Sequence, residues 1–153
     1  MEFDRVSLFG DKISIRIPHE WKEVDSDDNE TVTFYDQVDK LGWLRVSLFT
    51  KQTEESFQEK DLKNLIDTAH KGDCGFYKIE DIYIAAWEEE AESDNSLMMF
   101  YWEAGAIINS KLMRMAIFSL TVEKERMNKD GFDDEIAMIQ DCIFATHFAK
   151  PVQ

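Results

Sequence analysis

Leu97-Met98-Met99-Phe100-Tyr101-Trp102 and the run from Leu112 to Val122 decide the fold. In the first, Met98, Phe100 and Trp102 point one way, and Met99 and Tyr101 the other. In the second, Leu112, Ala116, Phe118 and Leu120 oppose Met113, Met115 and Ile117. Alternation with a period of two is the signature of a strand, and a strand apolar on both faces is central and covered on both sides. Ile82–Trp87 reads the same way. The links between these runs are short, which suits antiparallel hairpins. Between them, Glu88-Glu89-Glu90-Ala91-Glu92-Ser93-Asp94-Asn95 is expected to form a protruding hairpin tip.

Upstream, the strands have one buried face. Val6 and Leu8 lead into a Gly10-Asp11 turn signal, and then Ile13, Ile15 and Ile17 alternate with Ser14 and Arg16 until Pro18 ends the run. Trp21–Val24 continues as a short strand. The polar turn Asp25–Glu30 follows. In Thr31–Tyr35, Val32 and Phe34 share a face. In Trp43–Thr50, Leu44, Val46 and Leu48 oppose Trp43, Arg45, Ser47 and Phe49.

Two helices are expected. The first starts at a Thr53 cap with Glu54 and Glu55 in its opening turn, carries Phe57, Leu62, Leu65, Ile66 and Ala69 as its apolar stripe, and stops at Gly72 or Gly75. The second is capped by Asp130, has Asp133, Asp134 and Glu135 at its positive end, and buries Phe132, Ile136, Ile139 and Ile143. The tail Phe144–Phe148 suits a short terminal strand. The order strands, helix, strands, helix gives an α+β fold, an antiparallel sheet carrying two main helices.

The chain is 153 residues long with two prolines, no repeat and no linker, so residues 1–153 read as a single domain. Its net charge is −15, which disfavours nucleic acid, because phosphates require clustered Lys and Arg. No apolar run approaches the ~20 residues needed to span a bilayer. Met1-Glu2-Phe3-Asp4-Arg5 lacks the basic and apolar regions of a signal peptide, so a cytoplasmic location is expected. Of the two cysteines, Cys142 is expected in the core and Cys74 in a loop.

No cofactor or metal is expected. His19, His70 and His147 have no ligand spacing. His70 is better placed to meet a helix dipole. Asp25, Asp27 and Asn29 begin like a calcium loop, but Glu30 stands where glycine is needed and Asp36 where glutamate is needed. Phosphate loops and nucleophile elbows are missing, and carboxylates are too numerous for any pair to stand out as catalytic.

Two features remain. Glu23, Asp25, Asp27, Asp28 and Glu30 form one acidic cluster, and Glu88, Glu89, Glu90, Glu92 and Asp94 another. Solubility alone accounts for such clusters; a docking surface for a basic partner is the functional reading. The other feature is the extra apolar face of the later strands, with Trp87, Met99, Tyr101, Met113 and Met115, alongside Tyr83. Four of the seven methionines sit in two strands, and Met suits adaptable binding surfaces. Ordinary core under one helix is the plain account of this face; with both helices on the other side it would be an interface.

The opening Ile13-Ser14-Ile15-Arg16-Ile17-Pro18-His19-Glu20-Trp21 resembles the strand-Pro-x-x-Trp start of PsbP-like proteins, and the order of elements fits along nearly the whole chain. The resemblance, to the PsbP/DcrB-like superfamily, implies an α/β/α sandwich around an antiparallel sheet. That superfamily includes a photosystem subunit, a Ran-binding import factor, DcrB-type bacterial proteins and chaperones of secretion effectors. It implies binding more than catalysis. The expectation is therefore a non-catalytic, bacterial-type adaptor or chaperone-like module whose partner is another protein, a second copy of the chain included. The alternatives are an acidic cytoplasmic immunity or inhibitor protein for a basic toxin, and an enzyme whose site would need a pocket with a histidine beside carboxylates.

Overall fold

The structure, a computed structural model, describes residues 1–24, 30–68 and 74–150. Strands β1 (Phe3–Leu8) and β2 (Ile13–Pro18) form a hairpin through Phe9, Gly10 and Asp11, all at positive φ. The two-residue strand β10 (His147–Phe148) pairs on the far side of β2, giving a small sheet ordered β1-β2-β10. Strand β3 (Trp21–Val24) begins a second sheet with β4 (Thr31–Asp36), β5 (Trp43–Gln52), β6 (Gly75–Ile79), β7 (Ile82–Ala91), β8 (Asp94–Asn109) and β9 (Leu112–Glu123). Its order is β3-β4-β5-β9-β8-β7-β6, and every pairing is antiparallel.

The α+β class and the central position of β8 and β9 are as expected. The expected single sheet is two. Pro18 has no N–H to continue a ladder, and after it the chain turns over to the large sheet at Trp21. Ile13, Ile15 and Ile17 then face the large sheet rather than joining it. The edge strand β6 was not anticipated, because its exposed Phe76 and Tyr77 break the inward–outward pattern that marks a half-buried strand.

Helix α2 (Phe132–Phe144) packs beside β2. Its Phe132, Ile139 and Ile143 join the three isoleucines of β2 and the inner residues Phe34, Leu44, Val46, Ile84, Phe100, Trp102, Phe118 and Leu120 of the large sheet in one core. The indole Nε1 of Trp102 donates to Gln140 Oε1 at 3.1 Å, which satisfies the polar atom of this buried ring. The cap is Gly131 at φ 85°, not Asp130; glycine takes the left-handed conformation without a Cβ penalty.

Helix α1 (Glu59–Thr68) lies on the opposite face, where Leu62 and Ile66 pack on Ala85 and Met113. It does not start at Thr53. The Thr53 and Phe57 N–H groups instead donate to Lys111 and Ser110 carbonyls at 3.1 and 2.5 Å, tying 53–57 to the β8–β9 turn. The Asp61 carboxylate accepts the Gln58 N–H at 2.8 Å and opens the helix there. Gly105 marks where α1 crosses β8: a Cβ there would lie 2.8 Å from Leu62 Cδ1 and 3.2 Å from Ile66 Cδ1. The layers are thus α2 with the small sheet, then the large sheet, then α1.

Candidate functional site

The two faces of the large sheet are covered unequally. Register defines the α1 side as four cross-strand rows on β5, β9, β8 and β7. They are Phe49–Met115–Gly105–Tyr83, Ser47–Ile117–Glu103–Ala85, Arg45–Ser119–Tyr101–Trp87 and Trp43–Thr121–Met99–Glu89. All five residues singled out for an apolar face lie here: Trp87, Met99, Tyr101 and Met115 in the rows, and Met113 one row beyond, opposite Ile107 and Lys51. Met113 is buried under α1, whereas Met115, Met99, Tyr101 and Trp87 are half-buried.

Helix α1 reaches only the rows nearest Gly105. Trp43 in the farthest row is 44% exposed, and Phe49, at the β5 end of the Gly105 row, 47%. Aromatic contacts stiffen this open part. Trp87 stacks on Tyr101 with ring centroids 5.1 Å apart, and Tyr35 lies 4.3 Å from Trp43. The Met99 sulfur accepts from Thr121 Oγ1 at 3.1 Å. Nearer the edge, Glu59 of α1 accepts hydrogen bonds from Lys78, at 2.8 Å, and from the Tyr83 hydroxyl.

Glu103 stands in the second row, directly across from Ala85, and only 5% of it is exposed. No hydrogen bond or ion pair joins its carboxylate to another group among the described residues, and burial pushes its pKa above the ordinary carboxylate value. Burial also pushes up the Tyr101 hydroxyl, with the Glu89 and Glu92 charges adding to it. Sequence reasoning missed Glu103 because Glu103-Ala104-Gly105 reads as the end of a strand, although β8 continues to Asn109. A charged residue set in a long apolar alternation is the signal that would have found it. Trp43 and Phe49, likewise, were legible only as the opposite side of β5.

The acidic residues lie at the margins. Glu88, Glu89, Glu90, Glu92 and Asp94 are exposed on the β7–β8 hairpin, whose turn is Glu92-Ser93. Glu90 pairs with Lys124 at 2.5 Å, and hydrogen bonds from Ser96 hold the Asp94 carboxyl below its ordinary value. Glu23 and Glu30 are exposed at the other edge of the sheet, and Asp25, Asp27 and Asp28 lie outside the described residues. Glu23 and Glu88 share one cross-strand row, through Phe34, Leu44, Leu120 and Phe100. At ~4.8 Å per strand they are roughly 24 Å apart.

Two clefts bring a histidine near carboxylates. The larger, about 600 Å³, contains His147, Ser14, Glu80 and Asp81 with Arg5 and Lys150. Ser14 Oγ accepts from Arg5 at 3.2 Å, and Asp81 pairs with Lys150 at 2.6 Å. Among the described residues no side-chain hydrogen bond links Ser14 to His147 or His147 to Asp81. The smaller cleft, about 310 Å³, holds His19, which contacts Asp4 at 2.9 Å. Asp36, the last position of the calcium-like stretch, is buried and caps its own loop, accepting N–H bonds from Val38, Asp39 and Leu41 at 3.2, 3.0 and 3.0 Å. Among the described residues no group of three or more His, Cys, Asp and Glu is placed to hold a metal ion. Cys142 is buried in α2, which raises its thiol pKa to about 11; His70 lies outside the described residues.

No family model and no curated protein matches the chain. Solved structures do match in fold. A protein from Bacteroides thetaiotaomicron VPI-5482 is 18% identical with a TM-score of 0.65; the match covers 98% of this chain and 50% of that one. This chain therefore spans about half the length of that relative. LpqN of Mycobacterium tuberculosis, described as involved in cell envelope biogenesis, is 9% identical, covered over 98% and 91% of the two chains, with a TM-score of 0.54. Cyanobacterial PsbP (CyanoP) of Synechocystis sp. PCC 6803 is 14% identical over 96% and 92%, with a TM-score of 0.47. The Bacteroides protein and LpqN thus share the α+β fold of this chain.

Proposed function

We propose that this chain is a non-catalytic protein-binding adaptor or chaperone-like module, and that it binds through the open half of the α1-side sheet face. One observation carries the reading: on this face Trp43 and Phe49 are exposed and Met99, Tyr101 and Met115 half-buried, an apolar set interspersed with Arg45, Ser47, Ser119 and Thr121. Contiguous exposed apolar surface on a small domain is costly in water and marks interaction sites. Methionine and aromatic side chains supply large contact area with adaptable shape.

The test is a pull-down with the tagged protein and with its Met115→Glu variant, washed at low and high salt, alongside gel filtration of both. A partner, or a second copy, retained in high salt by the parent and lost by Met115→Glu supports the reading. Retention by the variant, or destabilisation without any lost partner, places Met115 in ordinary core and sinks it. The exposed hairpin acids support a second reading, an inhibitor of a basic protein; its partner would be released by salt, whatever residue stands at 115.

A further inference from the structure

The α1-side face contains a buried carboxylate for which no described residue supplies a cation. Glu103 lies between Ile117 and Ala85 in its row, with Tyr101 and Gly105 on the same face of β8. A carboxylate removed from water without a partner is destabilising, and proteins usually pair or replace such a group. Arg45 is on the same face, one row away and two strands over, yet forms no ion pair with Glu103. The fully buried, unpartnered side-chain atoms among the described residues are Arg114 Nε, Arg126 Nε and Thr146 Oγ1. The Glu103 oxygens are not among them, and 5% of the residue stays exposed.

We infer that Glu103 is the receptor for a guanidinium or ammonium group on the partner. The inference rests on the proposed use of this face for binding. The partner it fits is a protein segment that lays apolar side chains over Trp43, Phe49 and Met99 and turns one Arg or Lys inward to the carboxylate. A cation arriving there meets low dielectric and a charge already stripped of water, so the pair is stronger than a rim contact. Guanidinium fits best, because its planar fork engages a carboxylate bidentately and is weakly hydrated. The hairpin acids Glu88, Glu89 and Glu90 would steer the same cation from a distance.

The test uses hexylguanidinium and hexanol as probes, titrated into the full chain and followed by the methyl signals of Met99 and Met115. The parent protein is expected to bind hexylguanidinium at least about tenfold more tightly than hexanol. Glu103→Gln should abolish that preference while leaving hexanol binding unchanged, and a hairpin variant with Glu88, Glu89 and Glu90 all changed to Gln should keep most of it. Glu103→Met serves in the same role should the Gln variant not fold. Equal affinity of the parent for both probes overturns the inference but leaves an apolar docking face. A preference that survives Glu103→Gln assigns cation recognition to the hairpin and overturns it as well. Binding of neither probe overturns both this inference and the proposed use of the face.

Discussion

The large sheet has two faces made of the same strands, and they are finished differently. On the α2 side, Phe118, Leu120, Trp102 and Ala104 are buried beneath a helix and a second sheet, and the one polar atom of Trp102 is satisfied. On the α1 side, a ten-residue helix covers Gly105, Ala85 and Met113, while Trp43 and Phe49 stay exposed and the buried Glu103 carboxylate has no partner among the described residues. The first face is buried as a core is. The second has the composition of an interface core with nothing yet laid over it. One strand can thus serve stability with its even-numbered residues and binding with its odd-numbered ones, because alternate side chains point to opposite faces.

The sharpest way to break this comparison is to delete one aromatic ring from each face. Phe118→Ala should cost ~3–5 kcal/mol, the range for emptying a close-packed aromatic site. Phe49→Ala should change stability by roughly 0.5 kcal/mol or less, as surface substitutions do. Chemical denaturation of both variants decides it. Equal losses would mean that Phe49 is core and the face is closed.

The edge of the helix cover can be moved next. Gly105→Val would drive side-chain atoms into Leu62, Ile66 and Met115, whose nearest atoms lie 2.8, 3.2 and 3.3 Å from the first carbon alone. The expected loss is ~1–3 kcal/mol, typical of overpacking. NMR should show the Met113 methyl shifting as α1 lifts, with the Trp102 indole unmoved. A shift at Trp102 instead would show that the two faces are mechanically coupled.

Glu103 sharpens the comparison in the opposite direction, since its removal should help. Glu103→Gln is expected to stabilise the folded chain at neutral pH by about 1 kcal/mol, the scale of an unmet polar burial. The sign of its pH dependence follows from the raised pKa. Folded Glu103 holds its proton more readily than unfolded Glu103, so its favourable contribution is complete below the unfolded pKa and is lost as pH rises through the folded one. The parent and the variant should therefore be similar in acid and diverge upward through and beyond the ordinary carboxylate range. The Tyr101 and Tyr83 hydroxyls share this face, and the parent-minus-variant difference isolates the Glu103 contribution from theirs. Urea midpoints across pH would measure it. A variant less stable than the parent at neutral pH would mean that Glu103 has a partner in solution.

Much of this was legible from sequence. The two-sided alternation of Leu97–Trp102 and Leu112–Val122 placed β8 and β9 at the centre, and the Phe132, Ile139, Ile143 spacing placed α2. Assigning Trp87, Met99, Tyr101, Met113 and Met115 to one face needed only a period of two. The separate small sheet was not legible, because alternation reports that Ile13, Ile15 and Ile17 are buried on one side but not by what. How far α1 reaches was not legible either: the apolar stripe continues back to Phe57, but the bonds of Thr53 and Phe57 to the β8–β9 turn and the Asp61 carboxylate on Gln58 N–H start the helix later. Glu103 escaped notice because it stands two residues before a glycine, and glycine in a strand usually announces an end or a bulge rather than a helix crossing overhead.

The smallest effect belongs to the charges at the far side of α1. Lys78 and the Tyr83 hydroxyl both donate to Glu59; the bond from Lys78 holds the Glu59 carboxyl below its ordinary value. All three charged or polar ends stand in open water, where a pair loses to side-chain entropy and salt most of what attraction supplies. Lys78→Met should therefore leave the thermal midpoint within error of the parent, and high salt should erase any residual difference. The result discriminates between two accounts of how α1 is held. If the midpoint drops by several degrees, the helix is anchored by this cluster, and the open face can be uncovered further by a change in ionic strength. If it does not move, Leu62 and Ile66 over Gly105 hold the helix, and the border at Glu103 is fixed by packing alone.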